Sequence, residues 1–256
     1  MRPLAAALAF FCLTAAAAAA DLSPLALYRA GRYEEAIRTG LAQRSAQGFA
    51  VAARAALAEE RIRDTPCLAC LERAEKYARE AIAADPKRAE GRVYLATSLG
   101  YQARIIGIMA AKLKGYAGEA KDNLDIANAE HPHDPWVLAA LGGWNIAVVN
   151  GGGSVLADML YGASLKKGLA YFAKAFAADP GNIVIRFHYA LSLSSYDREA
   201  YAKEIAEALK ATVTGKPRTA YEVLMQGRAR ILLDAFKRRD WTRYDASVKR
   251  YEGYPA

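Results

Sequence analysis

Three prolines set the frame for this chain. Pro86, Pro132 and Pro180 each close an apolar triplet at fixed offsets: Ala74, Ala78 and Ala81; Ala120, Leu124 and Ala127; Gly168, Phe172 and Ala175. Behind each proline a matched pair follows, Leu95-Ala96, Leu141-Gly142 and Tyr189-Ala190. Steps of four and three put each triplet on one stripe of a helix. Proline cannot continue that helix, because it lacks the N–H and crowds the turn before it. The pattern reads as helix, turn, helix, used three times. Copies of that kind stack, since none can bury its apolar face alone.

Read in order, the chain predicts helices nearly throughout. Ser23-Pro24 is a cap followed by proline at the first helical position, and Gly31 separates this start from a helix through Arg44. Ala46 to Arg63 follows, with Phe49, Ala53, Ala56 and Leu57 on one face and Arg54, Glu59, Glu60 and Arg61 elsewhere. Asp64-Thr65-Pro66 predicts a start capped by Thr65, placing Cys67 and Cys70 in the first turn of a helix to Ala84. Ala89 to Lys114 is expected as a long helix broken near Gly107. Tyr116 to Glu130 and Trp136 to Val149 come next, and Asn150-Gly151-Gly152-Gly153-Ser154 is expected to break the pattern, with Ser154 capping a helix to Tyr161. Leu165 to Ala178 and Ile183 to Ser194 complete the third copy. Asp197 is read as the cap of a helix to Thr212, followed by helices from Arg218-Thr219 to Arg238 and from Trp241 to Arg250. No alternating run bounded by turn signals predicts a strand.

Residues 1–20 have the form of a secretory leader: Arg2, then the apolar stretch Leu4 to Thr14, then Ala18-Ala19-Ala20 before a cut at Asp21. The expectation is a periplasmic or secreted protein with no transmembrane span after cleavage. Three segments are expected: the leader at 1–20, a repeat solenoid at 21–194 and a helical capping region at 195–256. Removing Arg2 takes the formal net charge from +8 to +7, an excess that favours acidic partners or anionic surfaces. For an exported chain it does not argue for nucleic acid.

Cys67 and Cys70, in TPCLAC, are the only cysteines beyond the leader. An oxidising compartment favours a disulfide between them; buried thiols and a redox dithiol at a helix start remain alternatives. Leu71 stands where haem attachment needs a histidine. No metal or other cofactor is expected, since the histidines are scattered or lie in the His131-Pro132-His133 turn.

With its repeats aligned, the chain resembles the tetratricopeptide repeat (TPR) family. The resemblance rests on Ala120, Leu124, Ala127 and Pro132 with the following Leu141-Gly142, and on Gly31-x-Tyr33-x-x-Ala36 near the start. It implies an all-α, TPR-like helical-hairpin solenoid. The prolines are 46 and 48 residues apart, whereas standard repeats recur about every 34, so the repeats are elongated. The extra residues fall around Arg104 to Leu113 and Val148 to Tyr161. Leu141-Gly142-x-Trp144, a loop, Gly162-Ala163 and then Phe172 to Pro180 are similar to exported TPR proteins associated with TRAP-type solute transporters. They are also similar to mitochondrial regulators of microtubule dynamics. These resemblances imply a binding scaffold rather than an enzyme.

The expected binding surface is an open, polar-rimmed concave groove with the inserted loops. Its candidate anchors are Tyr94, Tyr101, Trp144, Tyr161 and Tyr189, with the apolar Ile105 and Met109, the groove-facing His188, and Asn145, a polar group that needs a partner. The leading partner is a protein, with a transporter component in view. A small apolar ligand or lipid held beneath the inserts is the alternative, and a thiol–disulfide protein the third. The NGGGS segment lacks the Lys-Ser or Lys-Thr of a phosphate loop. The C-terminal run of Lys237, Arg239, Trp241 and Tyr244 is read as a capping helix, with a docking surface as the rival.

Overall fold

The computed structural model describes residues 22–63 and 65–255; the expected leader, and Asp64 of the expected helix start, lie outside the described residues. Among those residues the structure is all helical, with no strand. The helices are α1 (Pro24–Arg29), α2 (Tyr33–Ala42), α3 (Ala46–Ile62), α4 (Leu68–Ala84), α5 (Ala89–Ile106), α6 (Ile108–Leu113) and α7 (Tyr116–Glu130). They continue with α8 (Pro135–Gly152), α9 (Ser154–Tyr161), α10 (Leu165–Ala178), α11 (Ile183–Asp197), α12 (Ala202–Thr214), α13 (Ala220–Arg238) and α14 (Trp241–Glu252).

The helices pair as antiparallel hairpins that stack into a solenoid. Helices α1, α3, α5, α8, α11 and α13 form an inner layer in which each touches the next, and α13 also reaches back to α1. Helices α2, α4, α7, α10, α12 and α14 flank them, while α6 and α9 are inserted between the first and second helices of two hairpins. The repeat triplets make the seams: Ala74, Ala78, Ala81, Ala120, Leu124, Ala127, Gly168, Phe172 and Ala175 are all buried. A Cβ on Gly168 would lie 2.7 Å from Ile146 Cγ1, so the small residue there lets α8 and α10 approach closely. Phe172 fills the adjoining space against Gly142, where an added Cβ would lie 2.7 Å from the ring.

Most helix starts carry the local chemistry that the sequence advertises. Asp134 accepts from the N–H groups of Trp136 (2.8 Å) and Val137 (3.0 Å), and Ser45, Ser164 and Thr219 cap α3, α10 and α13 in the same way. Four starts or ends differ from expectation. Helix α4 is capped by Cys67, whose Sγ accepts from Cys70 N at 3.2 Å, not by Thr65. Cys67 and Cys70 are disulfide-bonded, Cα atoms 5.2 Å apart, and the N-cap-to-third-residue spacing suits both roles. Asn150, Gly151 and Gly152 remain helical in α8; glycine costs a helix about 1 kcal/mol against alanine, too little to end one that is packed. The break falls on Gly153 alone, and Ser154 is the first residue of α9 with no side-chain cap. Asp197 ends α11, and its carboxylate caps the turn at Glu199 and Ala200.

The two inserts use one device twice. Gly107 (φ 84°, ψ 159°) and Gly153 (φ 76°, ψ 157°) kink the chain out of α5 and α8, in a backbone region open essentially to glycine only. Four residues on, Ala111 and Ala157 turn inward and are buried. Gly115 and Gly162, both left-handed, then return the chain towards α7 and α10.

Candidate functional site

The concave face expected to be open is instead lined by charged and aromatic groups and covered by the chain's own C-terminal residues. Arg54 of α3 lies 4.3 Å above the Tyr28 ring of α1 and 5.7 Å from Trp136 of α8. One turn pair further along α3, Arg61 lies 4.6 Å from the Tyr101 ring of α5. Arg104, also on α5, lies 5.0 Å from the same ring. Arg228 of α13 covers Tyr251 at 4.8 Å and donates to the carbonyl of Arg61. Stacking of this kind lets a guanidinium keep favourable contacts when water is removed.

The chain end closes this set. Arg61 donates to the carbonyl of Tyr251, and Arg104 donates to that of Glu252 at 3.0 Å. Ser195 of α11 donates to the Glu252 carboxylate. Arg61 is 5% exposed and faces Glu60, itself 2% exposed, at 3.4 Å. A group buried like this is tolerable only when its donors are used, and here backbone carbonyls supply most of the acceptors. Burial and the neighbouring Arg61 pull the Arg228 pKa below the usual arginine value, though it stays protonated. Burial first, then Arg61, Arg104 and Arg228, hold the His188 pKa down to about 3. His188 is therefore neutral at pH 7. Desolvation likewise raises Tyr94 to about 12, so it is a neutral phenol.

The expected site residues divide into separate places. Tyr94, Tyr101 and His188 do share the interior. Tyr189 does not: it packs on Phe172 (5.0 Å) and Phe176 (5.2 Å), at a seam between hairpins. Trp144 and Tyr161 meet edge to face at 6.1 Å beside the second insert, and Trp144 Nε1 donates to Ala117 O. Asn145 finds its partners within the chain, donating to Leu141 O at 2.9 Å and accepting from Ser164 N at 3.1 Å. It ties α8 to the start of α10. Ile105 packs beside the interior cluster around Tyr101, whereas Met109, 72% exposed, stands on α6. Beneath α9, where an apolar ligand was expected to sit, Val149, Ala157 and Ala163 form a packed cluster.

Sequence reasoning missed Arg54, Arg61, Arg104 and Arg228 as an interior set. The available signal was the seven-residue step from Arg54 to Arg61, two turns that return to one stripe of α3.

Among the described residues, two of the open surfaces stand out. A cleft of about 690 Å³ lies between α12 and the α13–α14 hairpin. Leu233, Phe236 and Trp241 are among its floor residues, and Glu199, Glu207, Lys210, Lys237 and Arg239 its rim. Tyr244 and Tyr251, from the same C-terminal run, are buried. His131 Nε2 lies 2.8 Å from Lys87 O, joining two neighbouring turns. The second open surface is the pair of inserts.

Fold and packing define an all-α helical-repeat protein whose interior is filled by its own side chains. More particularly, the chain belongs to the family described as regulator of microtubule dynamics protein 1-3, whose family model matches residues 30–237. Against curated proteins the chain finds no match.

Proposed function

We propose that the chain is an exported, non-catalytic TPR-like scaffold that binds a protein partner in the cleft between α12 and the α13–α14 hairpin. One observation carries this reading: the interior is taken up by the chain's own residues, while this cleft stays open with aromatic anchors in its floor. Aromatic side chains in a recess, ringed by charges of both signs, suit an amphipathic helix laid into a groove. A component of a solute transporter is the partner class that the sequence resemblance implies. The microtubule context in the family's description is no part of the proposal.

The test is site-specific photo-crosslinking in the intact periplasm, with the reactive group placed at Leu233 and, as a control, at Met109. The reading expects one protein adduct from Leu233 that fades when Lys210 and Lys237 are both changed to Glu. Adducts that ignore the rim charges, or none from Leu233, would overturn it.

A further inference from the structure

The two inserted helices carry an exposed apolar ridge that the protein-binding cleft leaves unexplained. Ile108, Met109 and Leu113 of α6 are 63%, 72% and 87% exposed, and Val155, Leu156, Met159 and Leu160 of α9 are between 50% and 77% exposed. Single exposed apolar residues are ordinary, but seven on two short helices at one edge form a patch. The first insert starts beside the end of α8, from which the second departs: Ile108 heads α6, and a Cβ on Gly151 of α8, two residues before the second kink, would lie 3.6 Å from its Cδ1. Each helix is anchored by one buried alanine and presents its remaining aliphatic groups outward.

We propose that this ridge docks on an anionic phospholipid membrane surface. The charge carried by the inserted segments themselves is complementary to that surface, while on one side Lys114 borders a cleft that holds Glu72, Glu75 and Glu80 beside Lys76 and Arg79. Residues 107–115 contain Lys112 and Lys114 and no acid, and residues 153–167 contain Lys166 and Lys167 against one acid, Asp158. Lys112, Lys114 and Lys166 are exposed, with stems long enough to leave the ammonium at the headgroups while aliphatic neighbours sink beneath them. Membrane attachment by shallow insertion is marginal with one signal and stable with two, apolar area plus a basic patch. The ridge has both.

The composition argues against the other occupants. Protein hot spots are enriched in Trp, Tyr and Arg, and none of the exposed apolar residues here is aromatic. A second copy would set four lysines and one aspartate against the same set, so like charges would meet across the contact. The proposal is independent of the cleft, which lies on other helices.

The test uses the full mature chain, sedimented with vesicles of phosphatidylcholine alone and with vesicles containing about one third phosphatidylglycerol. Wild type is expected to sediment with the anionic vesicles and to be released as salt rises. Met109→Ser with Leu113→Ser, and separately Val155→Ser with Met159→Ser, should each weaken binding about tenfold or more. Lys112→Glu with Lys114→Glu should abolish the preference for anionic vesicles. All three variants should keep the wild-type circular dichroism and melting curve, since the substituted positions are exposed. Undiminished binding in the serine variants would overturn the proposal, as would no wild-type sedimentation with anionic vesicles. So would light scattering that shows a wild-type dimer which the serine variants dissolve. Crosslinking at Leu233 reports on the cleft alone, so either idea can fail without the other.

Discussion

The interior and the inserted ridge are inverted relative to the usual rule. Facing the centre of the solenoid are buried and half-buried arginines with the buried carboxylates of Glu60 and Glu252; facing solvent on α6 and α9 are leucine, isoleucine, valine and methionine. The comparison teaches where each half of the free energy is committed. Interior charges tie the C-terminal residues to α3 and α5 and contribute to stability, because Arg61, Arg104 and Arg228 each donate to a backbone carbonyl. Ridge side chains hold nothing inside the molecule. Their contribution is realised only when something covers them.

The contrast breaks most readily at Arg61. Replacing it with Ala strands the Glu60 carboxylate and frees the carbonyl of Tyr251, and should cost roughly 3 kcal/mol, seen as a lower urea midpoint. A loss below about 0.5 kcal/mol would mean that the interior is wet and the comparison mistaken.

His188 gives the next effect, and its sign follows from its depressed pKa. Folded, it stays neutral down to about 3; unfolded, it gains a proton below about 6.5. As pH falls through that window the unfolded chain binds the extra proton, so stability is lost towards acid and is fully present above pH 6.5 or so. Wild type should therefore lose stability relative to His188→Gln between these limits, by up to a few kcal/mol, in paired denaturation curves. Parallel curves would place His188 in contact with solvent.

Asn145→Ala should cost about 1–2 kcal/mol by orphaning Ser164 N–H, with fraying of the start of α10 visible in amide exchange. Least of all, Leu113→Ser should change stability by no more than about 0.5 kcal/mol. A larger loss would show that the ridge is internal packing and not a surface held in reserve.

Much of this architecture was readable from local spacing. The offsets around Pro86, Pro132 and Pro180 placed the seams correctly, because a helical stripe and a proline stop are properties of neighbouring residues. Ser23, read as a cap before Pro24, caps α1 for the same reason. The mistakes have physical causes too. Gly151 and Gly152 cost less than the packing of α8 gains, so Asn150 to Gly152 stayed helical. Cys67 took the cap from Thr65 because the disulfide fixes it at the helix start. Closure of the interior was illegible: Arg61 and the Tyr251 carbonyl are 190 residues apart, and no periodicity reports such a pairing. Of the site, Tyr94, Tyr101 and His188 were expected as anchors of an open groove, and the arginines that lie among them were not singled out.

Contact between α13 and α1 has one more consequence. An open stack of repeats tolerates a copy added or removed, as a row of books tolerates another volume. A stack whose last inner helix must land on its first has a fixed number of seats. Duplicating or deleting a single hairpin would leave the two ends misaligned, so descendants of this sequence should vary in the length of their inserts far more readily than in their repeat count.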